Sequence, residues 1–181
     1  MPRIAVLGGS FDPPHLAHRQ VVRHLLEREH FDEVWVFPSR QNPLKPASAT
    51  FEDRLAMTRL ALGEYGSRVR VREDESKLSG FTIDLVRHLK AENPSAELTF
   101  IAGSDLQSEL PRWKDSEELR RLLKFEFLPR PPDPGSPFAA ISSTEIRERV
   151  RQNLSIAHLV PPEVEDYIRI RGLYSSKTSV E

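Results

Sequence analysis

Apolar positions in this chain follow two alternating rhythms. Runs of strand length occur at "RIAVL" (residues 3–7), "EVWVFP" (33–38), "RVRVRE" (68–73), "ELTFIAG" (97–103) and "KFEFLP" (124–129). The first and fourth are almost continuously apolar, as central strands of a parallel sheet covered on both faces must be. The third alternates, with Val69 and Val71 between arginines, which predicts an edge strand. Between the runs lie stretches of helical period at 16–29, 51–63, 82–91 and 116–123. In the first of these Val21, Val22, Leu25 and Leu26 form one apolar face. Strand and helix in such alternation predict an α/β fold, doubly wound on a five-stranded parallel sheet.

The last third of the chain breaks this rhythm. "PRPPDPGSPF" (129–138) is a proline-rich loop, "ISSTEIRERVRQ" opens a helix, and a last helix follows Pro161 and Pro162. The polar "YSSKTSVE" is expected to fray. The organisation expected is one domain over 1–181: an α/β core at 1–140, a small helical C-terminal part at 141–173 and a tail at 174–181.

Composition narrows the classes. A formal net charge of −1 gives no overall basic field for nucleic acid or an anionic membrane. The absence of cysteine excludes disulfides, thiolate metal sites and cysteine nucleophiles. No apolar run approaches the ~20 residues of a membrane span, and no signal-peptide pattern opens the chain. A cytoplasmic protein is expected, with assembly into a homo-oligomer left open.

Chemistry concentrates at "GGSFDPPHLAH", residues 8–18, where the first strand hands over to a helix. In a doubly wound sheet the ligand lies beyond the carboxyl ends of the strands. Gly8 and Gly9 there let an anion approach the backbone, and a helix N-terminus supplies N–H donors. His15 and His18, three apart, share one face of the first helical turn, although a bare histidine pair can equally be solvated. The turn lacks the G-x-G-x-x-G spacing of a dinucleotide fold and the Gly-Lys-Ser/Thr of a Walker loop. At the other end, Ser142 and Glu145 have capping-box spacing, so capping alone could explain the serine. Arg147 follows one turn in, either for an anion or for a surface pair with Glu145 or Glu148.

"GSFDPPHLAH" resembles the G-[ST]-F-[DN]-P-x-H-x-x-H signature of the nucleotidyltransferase superfamily, and "ISSTEIR" resembles its second motif. With Asp12-Pro13, His15 and His18, the chain is most similar to the bacterial nicotinate-nucleotide adenylyltransferases. The resemblance implies an ATP site at Gly8, Gly9, Ser10 and Phe11, with Gly103 and Asp105 of "IAGSD" nearby. It assigns Ser142, Ser143 and Arg147 to the β- and γ-phosphates, and His15 and His18 to the reacting phosphates. "PSRQNPLKP" matches a phosphate loop at Lys45, with Leu44 where the family has histidine and Asn42 where it has proline. Lys45 could equally be a solvated lysine. "GFTID" places Phe81 and Thr82 at the pyridine pocket by resemblance, although Thr82 could be simply an N-cap. Trp113, in the G-x-D-x(7)-W spacing, is the stacking candidate, the alternative being a core tryptophan. Arg130 matches an arginine near the mononucleotide phosphate.

The resemblance thus implies adenylyl transfer from ATP to nicotinate mononucleotide, with Mg²⁺ carried by the ATP phosphates rather than by protein carboxylates. Two other readings stay open: a phosphopantetheine adenylyltransferase, and a nucleotide-sensing protein of the same fold without turnover. A nicotinamide oxidoreductase fits least, because its fingerprint is missing.

Overall fold

The computed structural model describes residues 1–28, 30–40 and 47–176. Five strands form it: β1 (Arg3–Gly9), β2 (Glu33–Pro38), β3 (Val69–Val71), β4 (Glu97–Gly103) and β5 (Lys124–Leu128). They make one sheet in the order β3-β2-β1-β4-β5, every neighbouring pair parallel. Among the described residues six α-helices accompany them: α1 (Leu16–Glu27), α2 (Phe51–Leu62), α3 (Thr82–Glu92), α4 (Ser116–Leu122), α5 (Ser143–Arg151) and α6 (Pro162–Arg171).

The strand alternation of β1 sorts its side chains to two cores. Ala5 and Leu7 join Val22 and Leu25 of α1, Met57 of α2, Ile146 of α5 and Ile168 of α6. Ile4 and Val6 join Ile83 and Leu89 of α3 and Leu119 of α4 on the opposite face. Both central strands are therefore covered on both faces, which is why their sequences are continuously apolar. The chain winds outward from β1 to β3, then returns to lay β4 on the other side of β1. This reversal opens a crevice between the carboxyl ends of β1 and β4. Gly9 and Gly103 end those two strands.

Several boundaries differ from expectation. β1 continues two residues further, because Gly8 and Gly9 still pair with Phe37 and Pro38 of β2. β3 is indeed an edge strand but holds only three residues, since 3₁₀ turns at Gly63–Arg68 and Asp74–Lys77 bracket it. The tail is ordered past its expected start: Tyr174 donates its hydroxyl to Asp12 Oδ1 at 2.8 Å, and Ser176 Oγ bonds the Arg151 carbonyl at 3.1 Å. Residues 177–181 lie outside the described ones.

Candidate active site

Past Gly9 the chain turns sharply at Phe11, whose φ of 49° is uncommon for a residue with a side chain. Its ring folds back, so a Cβ at Gly9 would stand 3.1 Å from it. A side chain at Gly9 would thus crowd the Phe11 ring as well as any approaching anion. The turn is then pinned by two buried charges. Asp12 Oδ2 accepts the N–H of Ser48 at 2.6 Å, and Oδ1 accepts that of Ala49 at 3.1 Å beside the Tyr174 hydroxyl. Arg54, 1% exposed, donates to the carbonyls of Ser10, Arg40 and Ala49 at 2.7, 3.1 and 3.3 Å.

His15 is the N-cap of α1, and His18 lies in its first turn. His18 Nδ1 accepts the backbone N–H of His15 at 3.1 Å. The two rings stack with centroids 3.8 Å apart, and Phe11 lies 4.8 Å from His18. Burial holds His18 well below the usual histidine range, helped by His15 and Arg130. Burial, and then the charge of Arg130, lower His15 to about 4. Both rings are neutral near pH 7. With Nδ1 accepting, the neutral His18 ring carries its proton on Nε2, an assignment made from the hydrogen bond. His18 is therefore a hydrogen-bond donor, not a proton source.

The second motif closes on the first. Ser142 caps α5 by accepting the Glu145 N–H at 3.1 Å, as its spacing predicts. Ser143 Oγ donates to the Pro13 carbonyl at 2.8 Å, from 130 residues away. Arg147 donates through Nη1 to the Asp12 carbonyl at 2.7 Å and through Nη2 to Thr144 Oγ1 at 3.2 Å. Its side chain is 11% exposed, and Nε is buried with no partner among the described residues. The alternative of a surface pair does not hold, for Glu148 pairs with Arg151 and Gln152 instead.

Both motifs line one cavity of about 1040 Å³, at the upper end of ligand-pocket sizes. The cavity also takes in Gly103, Asp105, Phe81, Thr82, Trp113 and Arg130. Asp105 and Arg130 pair across it at 3.2 Å, both exposed, and a Cβ at Gly103 would collide with the Asp105 carboxylate. Trp113 is half-buried and meets Phe100 edge-on at 5.8 Å, leaving part of its ring to the cavity. Phe81, not Thr82, is the N-cap of α3, and Ser79 Oγ serves that turn by accepting the Phe81 N–H at 3.2 Å. Capping therefore does not account for Thr82. Lys45 lies outside the described residues.

Three features of the site were not singled out from the sequence. Arg54 follows Glu52 and Asp53 in the first turn of α2, where an arginine reads as solvated. Lys114 stands 4.7 Å from the Phe81 ring centroid and lines the cavity beside Trp113. Glu75 also lines it, and burial, then the charge of Asp74, raise its carboxyl to about 7. An acidic run "REDES" gives no sign that one member is buried.

A divalent ion finds no ready protein ligand set among the described residues of the cavity. Asp12 is saturated by three donors and Asp105 is held by Arg130. Among the described residues the one closely spaced trio of ligating side chains, Asp74, His88 and Glu92, is drawn around Arg72 instead and does not line the cavity.

The cytidylyltransferase-like family model matches residues 6–149. A protein of Geobacillus kaustophilus named "probable nicotinate-nucleotide adenylyltransferase" is 37% identical, over 99% of this chain and 89% of its own. One of the same name from Myxococcus xanthus is 35% identical over 97% and 96%. Among solved structures, the Plasmodium falciparum nicotinic acid mononucleotide adenylyltransferase complexed with NaAD superposes with a TM-score of 0.80. That match covers 96% of this chain and 98% of the other at 24% identity, a likeness of fold.

Proposed function

The chain belongs to the nicotinate-nucleotide adenylyltransferases of the cytidylyltransferase-like family, and from this we propose how its cavity moves an adenylyl group from ATP to nicotinate mononucleotide. A phosphate oxygen of the mononucleotide attacks the α-phosphorus of ATP in line. The bond from that phosphorus to the bridging oxygen breaks, and pyrophosphate leaves. The nucleophile comes from the substrate, so the protein's task is positioning and the stabilisation of developing charge.

The observation that carries this reading is the joining of the two end motifs. Ser143 and Arg147 bond to the carbonyls of Pro13 and Asp12, so both anion cradles face one cavity. One cradle suits a phosphate; two, back to back, suit a triphosphate. In this proposal His18 offers Nε2–H to the α-phosphate, with His15 beside it. Arg147 offers its unpartnered Nε–H to the departing pyrophosphate. Gly8, Gly9, Ser10 and Phe11 border the ATP phosphates, with Gly103, Asp105, Ser142 and Ser143. Trp113, Phe81, Thr82, Arg130 and Lys45 serve the mononucleotide. Mg²⁺ enters on the ATP phosphates and supplies charge neutralisation there, with ATP and nicotinate mononucleotide as the substrates. No helix among the described residues is long and apolar enough to cross a membrane, which fits the proposed cytoplasmic setting.

The test is pyrophosphate release from ATP that depends on nicotinate mononucleotide. Replacement of Trp113 by Ala should raise the KM of the mononucleotide without a comparable change for ATP. If the KM for ATP rises equally, the tryptophan does not serve the pyridine ring.

A further inference from the structure

Glu75 is a buried carboxyl of the cavity wall that the proposed reaction leaves idle. It lies in the 3₁₀ turn Asp74–Lys77, five residues before the Gly80–Thr82 segment that borders the same cavity. It is 5% exposed. The backbone N–H of Arg40 donates to its carboxylate, yet Oε2 is buried with no partner among the described residues. A buried oxygen without a partner is costly, and a ligand that supplies the partner accounts for it.

The charges around it decide which form it takes. Asp74, from the same turn, carries a negative charge held by Arg72 at 2.6 Å and His88 at 3.0 Å. Asp84, from α3, is held by Ser79, by Arg87 at 3.4 Å and by Lys114 at 3.6 Å. The cations beside Asp74 and Asp84 are thus already paired with those carboxylates, and both anions raise the cost of ionising Glu75. A neutral carboxyl in such surroundings has an O–H to give and lacks an acceptor.

We infer that the Glu75 carboxyl, in its protonated form, donates a hydrogen bond to the pyridine carboxylate of the acceptor nucleotide, and so determines the choice of acid over amide. This rests on the reading of the cavity as the site of a nicotinate nucleotide. The protonated residue complements a carboxylate. The ionised residue repels it and accepts instead from the NH₂ of a carboxamide. Acid preference is therefore a function of pH. Burial and Asp74 set the changeover at about 7 in the free protein.

The experiment compares nicotinate mononucleotide with nicotinamide mononucleotide as acceptors at pH 6 and pH 8, in the parent and in Glu75→Gln. The phosphate titrates alike in both nucleotides and cancels in the ratio of their kcat/KM values. In the parent that ratio should fall about tenfold or more between the two pH values, as the protonated fraction falls. In Glu75→Gln, whose amide cannot ionise, it should change less than about twofold. Calorimetry in two buffers supplies a readout that needs no variant: at pH 8 the parent should take up a proton with the acid beyond any taken up with the amide. A ratio that is flat in the parent, an equal fall in Glu75→Gln, or equal proton uptake with both nucleotides overturns the inference. If neither nucleotide is adenylylated at any pH, it is the proposed function that fails.

Discussion

His18 has its hydrogen-bonding character set by the His15 N–H that occupies Nδ1 and by the burial that keeps the ring neutral. His18→Ala should cost on the order of 3 kcal/mol in the transition state, roughly a hundredfold or more in kcat/KM. Its loss as an acceptor for the His15 N–H should lower stability by only ~1 kcal/mol. Because both histidines are held below their usual range, no histidine-linked loss of activity is expected between pH 8 and pH 6. An acidic limb near pH 6.5 that disappears in His18→Ala would contradict this. Arg147→Lys should raise the KM for ATP much more than that for the mononucleotide, since a point charge cannot make two fixed bonds to Asp12 and Thr144 and still reach phosphate. Equal ATP kinetics in the two proteins would return Arg147 to a structural part. Spacing alone placed both histidines and Arg147 near the starts of their helices and left their parts open; their roles come from the resemblance. That Arg147 bonds the Asp12 carbonyl rather than an acidic neighbour on its own helix was not legible, because that partner lies 135 residues away.

At the scale of elements, the turn after β1 is held from α2 and from the chain end. Arg54 of α2 serves three carbonyls at once, so Arg54→Met should cost on the order of 3–5 kcal/mol, read as a lowered urea midpoint. Arg54→Lys should rescue little, because one ammonium cannot span the three acceptors. The turn Asp74–Lys77 gives a pH-dependent counterpart. The carboxyl of Glu75 is raised from 4.5 to about 7, so the folded state binds more protons than the unfolded one in that window. Its contribution to stability is full below 4.5 and is lost as pH rises through 7. Glu75→Gln should consequently gain on the order of 3 kcal/mol over the parent at pH 8, and almost nothing at pH 4. Thermal unfolding at both values reads this directly, and an equal shift at the two would contradict it. β2 and β4 match the sequence reading residue for residue, for apolar runs between turn residues mark central strands sharply. β3 shrank because an edge strand pairs on one side only, and alternation alone cannot say where that pairing stops.

For the whole molecule, the doubly wound order and the crevice between β1 and β4 follow from strand–helix alternation together with the rules of parallel connection. What periodicity could not yield is the set of contacts that closes the site from its far ends; that both motifs serve one ATP was implied by the resemblance alone. Ser143, Arg147 and Tyr174 reach the first turn across more than a hundred residues, and local periodicity carries no such information. That closure is also what makes one cavity out of two anion cradles, and so underlies the claim that ATP is opened here between its α- and β-phosphates. The direct measurement incubates the protein with ATP, Mg²⁺ and nicotinate mononucleotide, and follows pyrophosphate and the dinucleotide product together. The account predicts the two products in equal amounts, none without the mononucleotide, and a loss of roughly a hundredfold in His18→Ala. Tight ATP binding with no pyrophosphate released, whichever pyridine nucleotide is supplied, would contradict it.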